Sequence, residues 1–283
     1  MEEIKGLNLN PEWCKECSNH LVLNVVKKLI EQQRWNTRDF VIISGIGNSA
    51  KIPAYLNYNS FITPSGEAIP VACGIKSANH NLNTVVLIGD GGLLSDGMKT
   101  LIHSARRNID ITVLVLNNLL LCSTGSYPSP TTPNNIPDLI WDVKIFNPIS
   151  IIKIALACNA TFIARGATAQ IDHLNELVNR AVEHKGFSLV EIFEPCRSHF
   201  SLDYIMSLER TLVNIDEKNQ EPDNRTRAYS YADEKDYIPI GLIYRSIKPS
   251  YLSNFPCLAE DTLVNQIISR KKLDVFLQKF LKF

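Results

Sequence analysis

Short, unbroken apolar runs recur along the first two thirds of the chain, each ending on a small or polar residue. Phe40-Val41-Ile42-Ile43-Ser44-Gly45 reads as a buried strand, and Thr84 to Gly89 repeats the design. Ile111 to Leu116 and Ser188 to Phe193 follow it. Such runs, rich in Val and Ile and without polar alternation, suit parallel strands covered on both faces. Between them, apolar spacing predicts helices over Leu21 to Gln33, Ala68 to Asn79, Gly97 to Asn108 and His173 to His184. The alternation predicts an α/β fold, a parallel sheet flanked by helices. Ligands of such sheets sit beyond the carboxyl ends of the strands. The chemistry is therefore sought at Gly45, Gly89, Asn117 and Glu194.

The pattern changes later in the chain. Asp203 to Asp236 is polar and charged and reads as an irregular crossing segment. Tyr237 to Tyr244 is a late apolar stretch, and Asp261 to Phe283 has helical spacing. The expected division is a main domain over residues 1–200 and an extension over 201–283, packed on that domain or on a partner subunit. No apolar run reaches the roughly 18 residues of a spanning helix. Pro148 to Ala164 comes nearest and is broken by Lys153 and Asn159. No basic-then-apolar leader is visible at the start.

Composition narrows the classes. Lys plus Arg and Asp plus Glu both number 29, so the chain lacks the basic surplus of a phosphate-binding nucleic-acid partner. Seven cysteines do not resemble a secreted disulfide framework. The expectation is a cytoplasmic protein without nucleic-acid or membrane partners.

The most specific signal is Gly89-Asp90-Gly91 at one strand end, then 25 residues, then Asn117-Asn118 at the end of the next. A lone strand-end Asp between glycines more often marks a turn; the pair on adjacent strands reads differently. Asp90 offers a carboxylate and Asn118 an amide oxygen, hard ligands suited to Mg²⁺ holding a diphosphate. The glycines allow close backbone approach, and the following helices direct free N–H groups towards phosphate. This pairing resembles the thiamine diphosphate signature.

Further motifs narrow the resemblance: Trp13-Cys14-Lys15-Glu16-Cys17, Ser44-Gly45-Ile46-Gly47-Asn48-Ser49, Ala105-Arg106-Arg107-Asn108, Ser129-Pro130-Thr131, Ala164-Arg165-Gly166, Glu194-Pro195-Cys196 and Ile238-Pro239-Ile240-Gly241. In this order they resemble the β subunit of 2-oxoacid:ferredoxin oxidoreductases of the 2-oxoglutarate or broad 2-oxoacid type. The resemblance implies a thiamine diphosphate-binding fold, with Mg²⁺ held by Asp90, Asn118 and the main-chain carbonyl of Leu120. Gly89, Gly91 and Thr124 would line the diphosphate, and Lys51 would meet the substrate carboxylate. It also implies a [4Fe–4S] cluster on Cys14, Cys17 and Cys196, thiolate being its normal ligand. The implied activity is oxidative decarboxylation of a 2-oxoacid (2-oxoglutarate or pyruvate) to acyl-CoA, with electrons passing to ferredoxin. An α subunit is implied as obligatory partner, in an αβ or (αβ)₂ assembly.

Departures from the family pattern are concentrated near the reacting centre. The fourth cluster position is Asn48, and an amide is a poor iron ligand. Cys73 is the nearest alternative in sequence, on a predicted helix. Ser65-Gly66-Glu67 stands where the family has His-Gly-Arg, Leu121-Cys122 where it has Tyr-Gly, and Gly92 where an acidic residue is usual. A second reading is therefore a degenerate subunit that binds the cofactor or stabilises a partner without passing electrons. A third is decarboxylation without oxidation. The Cys-x-x-Cys pair alone could also hold zinc or exchange thiols.

Overall fold

A computed structural model describes residues 11–134, 136, 147–267, 270, 273–274, 277–278 and 281. The predicted apolar runs form the centre of an eight-stranded sheet. They are β1 (Phe40–Ser44), β3 (Asn83–Gly89), β4 (Thr112–Asn117) and β8 (Ser188–Phe193); β2 (Asn59–Ile62) and β7 (Phe162–Ala167) join them. With β9 (Leu212–Asn214) and β10 (Ile238–Arg245), the order is β2-β1-β3-β4-β8-β7-β10-β9. The first six run parallel, while β10 lies antiparallel to β7 and carries β9 parallel to itself.

The unbroken apolar runs follow from burial on both faces, because successive side chains of a strand point to opposite sides. Val41, Ile43, Val86, Ile88, Val113 and Val115 face one core. There they meet α2 (Ala68–Ala78), α3 (Met98–Arg107) and α4 (Ile151–Ala157). Phe40, Ile42, Val85, Leu87, Leu114 and Leu116 face the other, against α1 (Asn19–Gln32) and α5 (Ile171–Glu183). The predicted α/β sheet flanked by helices is thus the observed architecture.

One expectation needs correction. The segment from Asp203 to Asp236 is ordered: α6 (Leu202–Arg210), β9 and α7 (Arg225–Asp233) occupy much of it. Ser201 Oγ accepts the Tyr204 N–H and Asn224 Oδ1 the Arg227 N–H, satisfying orphan donors at both helix starts. Each helix buries a single residue, Ile205 or Ala228, which leaves almost no apolar stripe to read. The break read at Asn159 within Pro148 to Ala164 is where α4 has ended, Asn159 turns with φ of 64°, and β7 follows. The late apolar stretch is β10, a strand of the main sheet. Of the helical pattern after Asp261, only the short turn Leu263–Asn265 is described as an element; much of the remainder lies outside the described residues.

Asn108, in the left-handed conformation at φ 52°, ends α3 and binds three segments together. Its Oδ1 accepts from Thr161 Oγ1 (2.6 Å) and Phe187 N–H (2.8 Å), and its Nδ2 donates to the carbonyls of Lys248 and Pro249. Asn108→Ala should strand these buried groups and place a Cβ-bearing residue other than Asn at positive φ. A loss on the order of 3 kcal/mol in urea unfolding is expected; an unchanged midpoint would contradict this role.

Candidate active site

Parallel strands bring the ends of β1, β3, β4 and β8 to one edge of the sheet. Between the loops that leave them lies a cavity of about 370 Å³. Gly89, Asp90, Gly91, Asn118, Leu120 and Thr124 all line it, so six predicted cofactor residues meet there. After Gly91 the chain makes a π-helical turn, Gly92–Asp96, before α3 starts. A Cβ on Gly91 would lie 2.1 Å from Leu121 Cδ2, so any side chain there would have to displace that leucine.

Asp90 is 2% exposed. Its Oδ2 is 2.5 Å from Ser129 Oγ and 2.6 Å from Thr131 Oγ1. Burial pushes its carboxyl up to about 6 despite these hydroxyls and the Gly91 N–H, and the Glu191 charge adds to the rise. Thr131 Oγ1 also lies 2.8 Å from Asn117 Oδ1, so its one proton serves two acceptors. Asn117 Nδ2 donates to Glu191 Oε1 (2.7 Å), and Arg165 Nε donates to Glu191 Oε2 (2.9 Å). Arg165 Nη1 in turn donates to the Pro239 carbonyl on β10. This buried chain of bonds fixes the floor beneath Asp90. Sequence reasoning did not single out Glu191; a charged residue inside the apolar run Ser188 to Phe193 was its only signal.

Asn118 Oδ1 accepts the Leu120 N–H at 2.9 Å, which aims the amide and leaves its second lone pair available. Glu194 is buried, and its Oε2 has no hydrogen-bond partner. Burial, with Asp90 and Cys196 nearby, raises its carboxyl well above the usual range. Ser65 lines the cavity and donates to Asp96, which also lines it. Among the described lining residues, Asp90, Asp96 and Glu194 carry carboxyl groups and none carries a basic one. Lys51 stands outside this lining; its exposed ammonium donates to the Glu12 carbonyl at 3.0 Å.

Two cysteines implied as cluster ligands, Cys14 and Cys17, form a turn, the Cys17 N–H bonding the Cys14 carbonyl. Trp13 Nε1 bonds the Asn48 carbonyl at 3.1 Å and ties this turn to the loop after β1. Burial pushes the Cys17 thiol up to about 11. The neighbouring Cys122 thiol holds the Cys196 thiol below its ordinary value, which outweighs its burial; Ser198 and His199 assist. Cys122 is correspondingly raised. Cys73 is elsewhere, on α2 against Ser104 Oγ.

The residues suit a diphosphate-bound Mg²⁺. A desolvated carboxylate, an amide and glycines without Cβ atoms line one cavity in which no described lining residue is basic. No group of three or more His, Cys, Asp and Glu side chains among the described residues is arranged to hold a metal ion, which leaves zinc on the Cys-x-x-Cys turn without further ligands.

Known proteins define the class first. Residues 45–192 match the thiamine pyrophosphate enzyme C-terminal TPP-binding domain, and residues 207–260 match the C-terminal part of the pyruvate ferredoxin oxidoreductase β subunit. The chain is 31% identical to the 2-oxoglutarate synthase subunit KorB of Methanocaldococcus jannaschii, over 88% of this chain and 92% of that protein. It is also 31% identical to the 2-oxoacid:ferredoxin oxidoreductase subunit beta of Sulfolobus sp., over 96% and 95%. A chain in the solved structure of 2-oxoglutarate:ferredoxin oxidoreductase from Magnetococcus marinus, with 2-oxoglutarate, coenzyme A and succinyl-CoA bound, superposes with a TM-score of 0.86. That match has 26% identity over 95% of this chain and 93% of that one. The chain belongs to the family of 2-oxoacid:ferredoxin oxidoreductase β subunits. No helix among the described residues is long and apolar enough to cross a membrane.

Asp90 sets a pH-dependent test. A carboxyl raised by folding favours the native state below its unfolded value near 3.8, and that advantage is lost as pH rises through about 6. Above pH 6 the buried charge costs metal-free protein about 3 kcal/mol. Metal-free Asp90→Asn should therefore gain stability over wild type between pH 4 and 7 in paired urea titrations. A difference that stays flat across that range would contradict the burial argument.

Proposed function

We propose that this chain is the thiamine diphosphate-binding β subunit of a CoA-acylating 2-oxoacid:ferredoxin oxidoreductase, active only with an α subunit. Its substrate is 2-oxoglutarate or pyruvate, its compartment the cytoplasm, and ferredoxin receives the electrons. The carrying observation is that buried Asp90 and Asn118 line one cavity in which no described lining residue carries a basic side chain. Asp90, Asn118 and the Leu120 carbonyl hold Mg²⁺, and Gly89, Gly91 and Thr124 line the diphosphate. Bound there, thiamine diphosphate supplies an electron sink for loss of CO₂ from the 2-oxoacid. An iron–sulfur cluster supplies single-electron transfer.

The chain's own groups orient and neutralise. Asp90 would hold Mg²⁺ as its carboxylate, so Mg²⁺ affinity should rise with pH through about 6. Ser129 and Thr131 hold the carboxylate in place as it charges. The lining provides no cation for the substrate carboxylate, which falls to Lys51 once it releases Glu12, with the α subunit supplying the rest.

Co-expression with the cognate α subunit tests the reading. CoA-dependent reduction of ferredoxin by 2-oxoglutarate or pyruvate is expected, with at least a hundredfold loss on Asp90→Ala. Lys51→Ala should raise KM for the 2-oxoacid about tenfold, consistent with one lost charge-assisted contact, while Mg²⁺ affinity stays unchanged. No oxidation of any 2-oxoacid by the assembled complex would refute the proposal. Aldehyde in place of acyl-CoA would assign non-oxidative decarboxylation instead.

A further inference from the structure

Three segments meet at the wall of the cavity where a thiolate is missing. The Cys14–Cys17 turn is tied to Asn48 through Trp13. The loop after β1 abuts the loop after β4: a Cβ on Gly47 would lie 3.1 Å from Ser123 Oγ. Asn48 and Cys122, the sequence neighbours of those two residues, both line the cavity. The Cys196 N–H donates to the Asn118 carbonyl at 3.2 Å while Asn118 Nδ2 reaches Cys122 Sγ, and Cys122 and Cys196 pack against the same apolar cluster around Leu119, Leu120 and Phe193. The position that has lost its sulfur and the position that has gained one therefore stand on touching loops.

We infer that Cys122 supplies the fourth thiolate of the iron–sulfur cluster in place of Asn48, beside Cys14, Cys17 and Cys196. The inference rests on the proposed role of the chain as an electron-passing β subunit. Four thiolates are the usual ligand set of a [4Fe–4S] cluster. A cube of four irons presents four separate corners, so its ligands need not converge on one point as they would for a single ion. Loading of the cluster would release the thiol protons of its four cysteines, because the ligands bind as thiolates. Cys122 Sγ also accepts from Asn118 Nδ2 at 3.4 Å. Cys122 thus joins the cluster directly to a proposed Mg²⁺ ligand. Cys73, bonded to Ser104 on α2, has no comparable position.

The test is iron and acid-labile sulfide, with EPR of the reduced protein, on the full chain purified anaerobically with its α subunit. Wild type and Cys73→Ser should carry about four irons per chain. Cys122→Ser should lose at least half of the iron or show a three-iron signal, and Asn48→Cys added to it should restore the wild-type spectrum. Alkylation mapped by mass spectrometry on wild type provides a check without any variant: Cys122 should be protected until iron is chelated, and Cys73 unaffected by chelation. Iron and EPR unchanged in Cys122→Ser, or Cys122 equally reactive before and after chelation, would overturn the ligand assignment and leave the cluster reading standing. Wild type without iron, or with a Cys122–Cys196 disulfide in its place, would overturn both; binding of thiamine diphosphate then remains a separate measurement.

Discussion

A carboxylate removed from water at the end of a central strand is the constraint on which the site depends. Asp90 sits where β3 ends, almost fully buried, with two hydroxyls on one oxygen and another acid close by. A charge in that setting is unfavourable unless a cation meets it. Among the described residues the cavity lining contains no basic side chain, and Asn118 lines the same cavity, so the proposed Mg²⁺ would fill that need. Ser129 and Thr131 keep the carboxylate aimed whether it holds a proton or a metal.

That arrangement extends well beyond the cavity. Asn117 next to Asn118, Glu191 on β8 and Arg165 on β7 form a buried relay that ends on the Pro239 carbonyl of β10. A paired Arg and Glu inside a sheet contribute little net stability, but losing one partner is costly. The relay thereby links the geometry beneath Asp90 to a strand contributed from the last part of the chain. Tyr237 to Tyr244 is part of the platform and does more than cover it.

Much of this was legible in the sequence because burial on both faces leaves a plain record. The four runs at Phe40, Thr84, Ile111 and Ser188 became central strands, and the glycine-flanked Asp90 and the Asn117-Asn118 pair fell at their carboxyl ends. What escaped was structure whose signal is not apolar periodicity. The helices α6 and α7 each bury one residue and depend on side-chain caps, and the edge strand β2 is exposed throughout. Asn159, read from the sequence as a break in an apolar run, makes that break by adopting positive φ. At the site, Cys73 was only the nearest cysteine in sequence to Asn48, on a predicted helix, and it does lie on α2 against Ser104. The fold instead brings Cys122 to Cys196, because the two loops come from β4 and β8, neighbours in the sheet though far apart in sequence.

The account turns on Asp90 and Asn118 binding a diphosphate through a divalent cation. Calorimetric titration of thiamine diphosphate into the assembled complex, with Mg²⁺ and then with a chelator, tests this directly. Saturable binding near one cofactor per β chain is expected with Mg²⁺, with loss of binding under chelation and in Asp90→Asn. Equal affinity with and without the metal, or wild-type binding by Asp90→Asn, would contradict it.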